Sequence, residues 1–551
     1  MTINELVPWN FALWALLLIP LLISAMAARN WGWALAQGAA GFNLLLAAGL
    51  WLLALEQPLQ SGVLRLGVLQ ATLLVLVNFL GWIIYRYAAT NFQGDSDGAR
   101  FLRWLTLTLL AVQTLLLVDH LVLFWAAWVG VSLSLNQLLL FYPNRPRALL
   151  AAHKKFLIAR ASELLLALAI GLLYSQFNSF SLSQIMAQIA QLQADQLSWP
   201  LILAALCVAQ VALLKCAQLP LQGWLIQVVE SPTPVSALLH AGVINLGGVL
   251  LLLFAPLLSQ VVVAQWLLLL VAGPSAVLAA LIMTTRISIK VRLAWSTCAQ
   301  MGLMLVECAL GLYELALLHL IAHSCYKARA FLAAGNAVNE QLEQSVGDAL
   351  GSARLPSLSQ WLGATLLVVP LVAGLVWLAH SYLFAAADSN AISGSNAISG
   401  SLVPWVILSV ALITLVAQGL AQQAALSRHW WRPMLAGLLL ANPLLHRSVA
   451  AALVALYLAF KTGLAQALEL APRAANLWAD LWVCSLLLVL MLASYSLQRW
   501  PLNTQVRRLW IALNAGLYLD EWMTRFTLRW WPVTLTPGAT QPSFLDAEVK
   551  S

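Results

Sequence analysis

Charge is what this sequence has least of. Only 9% of its 551 residues are Asp, Glu, Lys or Arg, while 62% are hydrophobic. A soluble globular protein carries about 25% charged residues, and a soluble fold of this composition would expose far too much apolar surface. The shortage therefore excludes that class and points to a polytopic membrane protein. Acid is scarcer than base: 20 Asp and Glu face 28 Lys and Arg, a formal net charge of +8. The basic residues are scattered and mostly flank apolar runs. That pattern speaks against nucleic acid and fits positive loops facing the cytoplasm. Cysteine is also sparse. Cys207, Cys216, Cys298, Cys308, Cys325 and Cys484 form no C-x-x-C pair and mostly sit inside apolar segments, which argues against a disulfide framework and against a zinc or iron–sulfur site in this chain. Missing too are a nucleophile elbow, a Walker loop and a dinucleotide fingerprint. No catalytic site and no cofactor is expected in the chain itself.

What is present is a series of apolar runs. A span needs about 20 mostly apolar residues. Such runs fall at roughly 6–27, 31–55, 65–86, 102–118, 121–142, 153–174, 199–218, 233–257, 261–284, 289–311, 313–334, 358–385, 402–423, 433–467 and 474–496. The first lacks a basic segment before it and reads as a retained helix, not a cleaved signal. The expected fold is an all-α polytopic membrane protein with about 13–16 transmembrane helices. Residues 93–98 read as a polar turn. Residues 175–198 read as an amphipathic interfacial segment, residues 335–357 as a polar loop, and residues 386–401, with a direct NAISGS duplication, as a flexible linker.

Against this background the few polar residues inside spans stand out. A charge at the bilayer centre costs about 2.5–3.5 kcal/mol on insertion scales, so such residues mark ion or proton paths. In LLKCAQLPLQGWLIQVVESPTPVSALLHAG, Lys215 ends a long apolar run and Pro220 breaks the helix behind it. Glu230 follows, then Pro232 and Pro234 restart the chain, and His240 lies in the next run. Irregular backbone at membrane depth is tolerated where it is packed in protein or lines a cavity; the bland alternative is a lysine snorkelling to the surface. In HKKFLIARASELLLALAIGLLY, Lys154, Arg160 and Glu163 lie at the start of a span, and Arg160 and Glu163 can pair at i, i+3. That pair reads equally as functional or as a surface ion pair. In LALLHLIAHSCYKARAFLAAG, His319, His323 and Lys327 are spaced i, i+4, i+8. Histidines in such a stripe can relay protons or simply bond neighbouring helices. No third acidic ligand and no H-E-x-x-H accompanies them, so metal is not expected.

These clusters carry a resemblance. KCAQLPLQGWL…SPTPVSALLHAG, IKVRLAWSTCAQMGLML and HLIAHSCYKARAFLAAG resemble, in order, the antiporter-like proton-translocating subunits of respiratory Complex I and of Mrp cation/proton antiporters, over about residues 100–340. The ending NAGLYLDEWMTRFTLRWWP is similar to that of the large subunit type. The resemblance implies two inverted five-helix antiporter-like repeats, each with a broken helix. On that pattern residues 1–100 hold the N-terminal transmembrane helices, 101–257 the first repeat, 258–425 the second, 426–499 the C-terminal transmembrane helices, and 500–551 an amphipathic tail facing a partner. It implies that Lys215 is the central lysine of the first broken helix and that His240, Lys154, Arg160, Glu163, His319, His323 and Lys327 line the path.

Two departures accompany the matches. Where relatives carry a W-E-G stretch, this chain reads Trp128-Val129-Gly130, and where the second broken helix carries S-K-D-E, it has PLVAGLVWLAHSYLF, with His380 near the expected position. MGLMLVECALGLYELALLHLIAHSCYKARAFLAAG resembles a divergent branch, the membrane subunits of DAB-type inorganic-carbon accumulation complexes. That branch implies a DabA-like cytoplasmic-face partner with a zinc site similar to a β-carbonic anhydrase, and an H⁺ or Na⁺ gradient driving CO₂ hydration to bicarbonate. It also implies a multi-pass protein of the bacterial inner (plasma) membrane. The alternative is a proton-translocating subunit of a Complex I or Mrp-type assembly.

Overall fold

In a computed structural model of the chain, the described residues are 9–27, 32–142, 145–192, 196–228, 231–336, 359–370, 403–406, 409–410, 413, 476–500 and 502–531. They are almost wholly helical. In chain order the helices are α1 (Trp9–Met26), α2 (Gly32–Ala54), α3 (Val68–Asn91), α4 (Gly98–Leu117), α5 (Leu121–Leu139), α6 (Pro146–Phe177), α7 (Leu182–Ala190), α8 (Trp199–Lys215), α9 (Gly223–Gln227) and α10 (Thr233–Ala241). There follow α11 (Leu246–Leu253), α12 (Ala255–Gln260), α13 (Val262–Thr284), α14 (Ile289–Ala309), α15 (Tyr313–Leu332), α16 (Leu477–Arg499), α17 (Thr504–Asn514) and α18 (Leu519–Trp530). A small antiparallel hairpin, Leu59–Ser61 with Leu64–Leu66, links α2 to α3.

Most expected spans become helices within a few residues of their expected ends. Among the described residues, nine helical stretches are long and apolar enough to cross a membrane. Helices α14 and α15 match two further expected spans in length, but they carry Lys290, Arg292 and Glu307, and Glu314, Lys327 and Arg329. The expected runs 433–467 and most of 358–385 and 402–423 lie outside the described residues, as does the 386–401 linker. The chain divides into two compact units. One comprises Met1–Val306, Leu317–Leu332 and Ile511–Ser551; in the other, Glu307–Ala316 with Ala333–Trp510, Trp361 and Trp405 pack on Ala364, Val368 and Ile413.

Local chemistry explains several ends. Pro20 inside α1 has no N–H to give the Leu16 carbonyl one turn back, and Asn43 Nδ2 donates to that oxygen instead, at 3.3 Å. Helix α6 starts on Pro146 and stops at Asn178, whose φ of 49° is left-handed. Its 32 residues run about 48 Å at 1.5 Å per residue, well beyond the bilayer core. The segment read as interfacial contains α7, which buries Leu182, Ile185, Met186 and Ile189. The Ser181 hydroxyl caps α7 by accepting from the Gln184 N–H. Asp119, between α4 and α5, holds α7 in place by accepting from the Ser183 N–H at 2.8 Å and from the Ser181 and Ser183 hydroxyls.

Candidate ion-conducting site

Helix α8 stops at Lys215, as expected from the proline behind it. Pro220 lies in a non-helical stretch, and Ala217 takes a left-handed φ of 51°. The orphaned carbonyls are satisfied from the side: Gln218 Nε2 donates to Cys216 O at 2.8 Å, and the Cys298 thiol donates to Ala217 O at 3.2 Å. Helix α11 passes so close that a Cβ at Gly247 would stand 2.5 Å from Cys216 Sγ. The chain resumes at α9, and Pro232 and Pro234 open α10. Pro232 precedes its first residue, and Pro234 sits in its first turn, where a missing N–H costs nothing.

The break places Lys215 in the last turn of α8, where the partial negative charge of the helix C-terminus favours a cation. Its ammonium lies 4.8 Å above the centroid of the Trp128 ring, within cation–π range. Among the described residues no carboxylate stands within salt-bridge distance of it. Lys215, Lys155, Glu163, Ser132, Ser162, Trp128 and Trp224 line one internal cavity. Glu163 Oε1 accepts from Arg160 Nη2 at 2.7 Å, and Arg160 Nη2 also donates to Ser132 Oγ at 3.1 Å. Lys155 donates to the Ser132 carbonyl. Ser162 Oγ, Trp224 Nε1 and Arg160 Nε are buried without partners, and water is the usual partner of such groups.

Lys155 is thus a cavity residue that sequence reasoning missed, because adjacent helical residues point about 100° apart and the chain does not reveal which lysine faces inward. Lys154 points elsewhere: both oxygens of Asp520 on α18 lie 2.8 Å from its ammonium.

A second cluster joins α10, α14 and α15. His240 is fully buried, stacked on Phe331 at 4.3 Å, with Nδ1 3.1 Å from Thr297 Oγ1. The fully buried Lys327 donates to Leu293 O at 3.0 Å and to Ser296 Oγ at 2.8 Å. His323 is buried with neither ring nitrogen partnered, and its ring centroid is 6.3 Å from that of the half-buried His319. Asn245 Nδ2 donates to Ser324 Oγ at 2.7 Å. The predicted stripe therefore faces the interior at His323 and Lys327. Glu230 and His380 lie outside the described residues. Among the described residues, no group of three His, Cys, Asp or Glu side chains is placed to hold a metal ion.

Residues 118–393 match the NADH:quinone oxidoreductase/Mrp antiporter transmembrane family. The chain is 42% identical to the probable inorganic carbon transporter subunit DabB of Hydrogenovibrio crunogenus, over 84% of this chain and 82% of that one. It is 36% identical to the probable inorganic carbon transporter subunit DabB2 of Halothiobacillus neapolitanus, over 89% of this chain and 84% of that one. Its fold is similar to a chain of the Mrp complex from Dietzia sp. DQ12-45-1b, with a TM-score of 0.61 at 22% identity, covering 98% of this chain and 62% of that one. This multi-pass helical chain belongs to the antiporter-like transmembrane family of NADH:quinone oxidoreductase and Mrp subunits, in the branch of the DabB inorganic carbon transporter subunits.

Proposed function

We propose that this chain is the ion-conducting subunit of an inorganic carbon transporter, and that an H⁺ or Na⁺ gradient passing through it drives CO₂ hydration to bicarbonate in a DabA-like, zinc-containing partner. The observation that carries this reading is the Lys215 cavity. A half-buried lysine at a broken helix shares the cavity with the buried Lys155 and an arginine-paired glutamate, around unpartnered donors. Buried ionisable groups around a cavity are the means by which a membrane protein moves charge. The His240, His323 and Lys327 cluster continues the path, and the tail from residue 500 faces the partner. On this reading the chain resides in a bacterial plasma membrane, and the zinc chemistry belongs to the partner.

The test is growth in air of a carbonic-anhydrase-deficient bacterial host that expresses the chain together with a DabA-like protein. Growth is expected with both chains, and with neither alone. Growth unaffected by Lys215→Ala would remove Lys215 from the path. Co-purification with redox or antiporter subunits, in place of a DabA-like protein, would instead make the chain a proton-translocating subunit of a Complex I or Mrp-type assembly.

A further inference from the structure

The residue that answers Lys154 lies 366 positions away in the chain. Asp520, on α18, takes the Lys154 ammonium with both carboxylate oxygens at 2.8 Å, and Thr524 Oγ1, one turn on, accepts from the same ammonium at 2.7 Å. Lys154 is 0% exposed and Asp520 32% exposed. Gln227, at the end of α9, donates to Asp520 Oδ2 at 2.7 Å. Gly223, which opens α9, lies flush under the same carboxylate: a Cβ there would stand 1.5 Å from Oδ1. Trp531 stacks on His153 at 3.9 Å and meets Phe156 edge-on. The turn before α18 holds three successive residues in the left-handed region, Gly516, Leu517 and Tyr518. Two of these bear side chains, and such a backbone persists only where its surroundings over-determine it.

The neighbours of these contacts belong to the cavity. Lys154 is adjacent to Lys155 and Gly223 to Trp224, and both Lys155 and Trp224 line the Lys215 site. One carboxylate therefore holds α6 and α9 together, and both helices contribute lining residues to the site. A buried lysine left without its acid is an uncompensated charge, so the clamp cannot open without disturbing α6. We propose that Asp520 is a positioning residue of the ion path: through Lys154 and α9 the C-terminal helix clamps the walls of the Lys215 cavity, and undocking of the tail is transmitted to the path. The proposal rests on reading that cavity as the path.

The experiment uses the full chain, co-expressed with a DabA-like partner. Uptake of radiolabelled inorganic carbon is normalised to the amount of chain in the membrane, and the chain alone, purified with a C-terminal tag, is cut with limiting trypsin in detergent. Asp520→Asn is expected to lower uptake per chain about ten-fold or more, as small misplacements of reacting groups do, and to speed tryptic release of the tag. Gly223→Ala keeps every charge but presses a methyl into the carboxylate, and is expected to do the same. Asp520→Glu and the swap of Lys154→Asp with Asp520→Lys should each regain part of the uptake lost by the single charge changes.

Wild-type uptake per chain in Asp520→Asn overturns the proposal. So does a loss that follows only the amount of chain in the membrane, which marks a purely structural contact. If the unaltered chain and its partner accumulate no bicarbonate, the proposed function fails, and the clamp is then judged by trypsin alone: an unchanged cleavage rate in Asp520→Asn and Gly223→Ala overturns it.

Discussion

Lys215 and Lys327 both lie within the helices of this membrane domain, the first half-buried and the second fully buried, and their surroundings differ in kind. Lys327 is gripped by two fixed neutral oxygens, Leu293 O and Ser296 Oγ. Lys215 has a ring face beneath it, a helix C-terminus behind it, and a cavity that it shares with Lys155 and Glu163. A lysine with both partners fixed in protein can change little without breaking them. One that faces a cavity lined by unpartnered donors can exchange its contacts with water. On the proposed function, that difference makes Lys215 the site where charge enters and leaves, and Lys327 a held point along the path. On the same reading the absent W-E-G carboxylate is offset by the Trp128 ring beneath the ammonium and by Glu163, which lines the same cavity.

The comparison is broken most directly at Lys215 itself. Lys215→Ala is expected to lower carbon uptake about 100-fold or more, the scale on which loss of a proton-transfer group acts, and Lys327→Gln distinctly less. Equal losses at the two positions would erase the distinction. A double-mutant cycle sharpens it. Lys215→Ala and Glu163→Gln share a cavity and should be coupled by about 0.5–3 kcal/mol. Lys215→Ala and Lys327→Gln, with no shared partner, should combine additively to within about 0.5 kcal/mol. Additivity in the first pair would mean that Glu163 serves only Arg160. A smaller effect is expected at Trp128: Trp128→Leu removes a cation–π contact worth about 0.5–2 kcal/mol, and Trp128→Phe should retain part of it. Uptake unchanged in Trp128→Leu would show that the ring only fills space.

How much of this was legible in the sequence follows from the range of each contact. The helices were, because a span is written in one continuous apolar run. The break behind Lys215 was, because Pro220 acts on its own helix. The hairpin at Leu59–Leu66 was not: its strands are three residues each and carry no long alternation. The choice between Lys154 and Lys155 was not, because it depends on what packs around α6. Asp520 was beyond reach altogether. The sequence marked the tail as amphipathic, but a pairing across 366 positions leaves no local pattern. The Thr297 hydroxyl beside His240 was missed for the same reason.

The smallest predicted effect concerns that hydroxyl and tests whether the second cluster relays protons or only packs. Thr297 Oγ1 donates to Leu293 O at 3.0 Å, and a hydroxyl has one hydrogen to give. Its contact with His240 Nδ1, at 3.1 Å, must then be one in which the ring N–H donates. That leaves the lone pair of a neutral His240 on Nε2, a buried atom with no hydrogen-bond partner among the described residues. Leu293 O is also an acceptor for Lys327, so one carbonyl ties the two halves of the cluster together. Thr297→Val keeps the shape but removes the acceptor, so the ring N–H is orphaned and its tautomer released. The loss of about 1 kcal/mol typical of one such bond corresponds to roughly five-fold in uptake rate. Thr297→Ser keeps the oxygen and should stay close to the unaltered rate. If Thr297→Ser falls as far as Thr297→Val, the methyl group rather than the hydroxyl matters, and His240 is a packing residue whose ring orientation the path does not use.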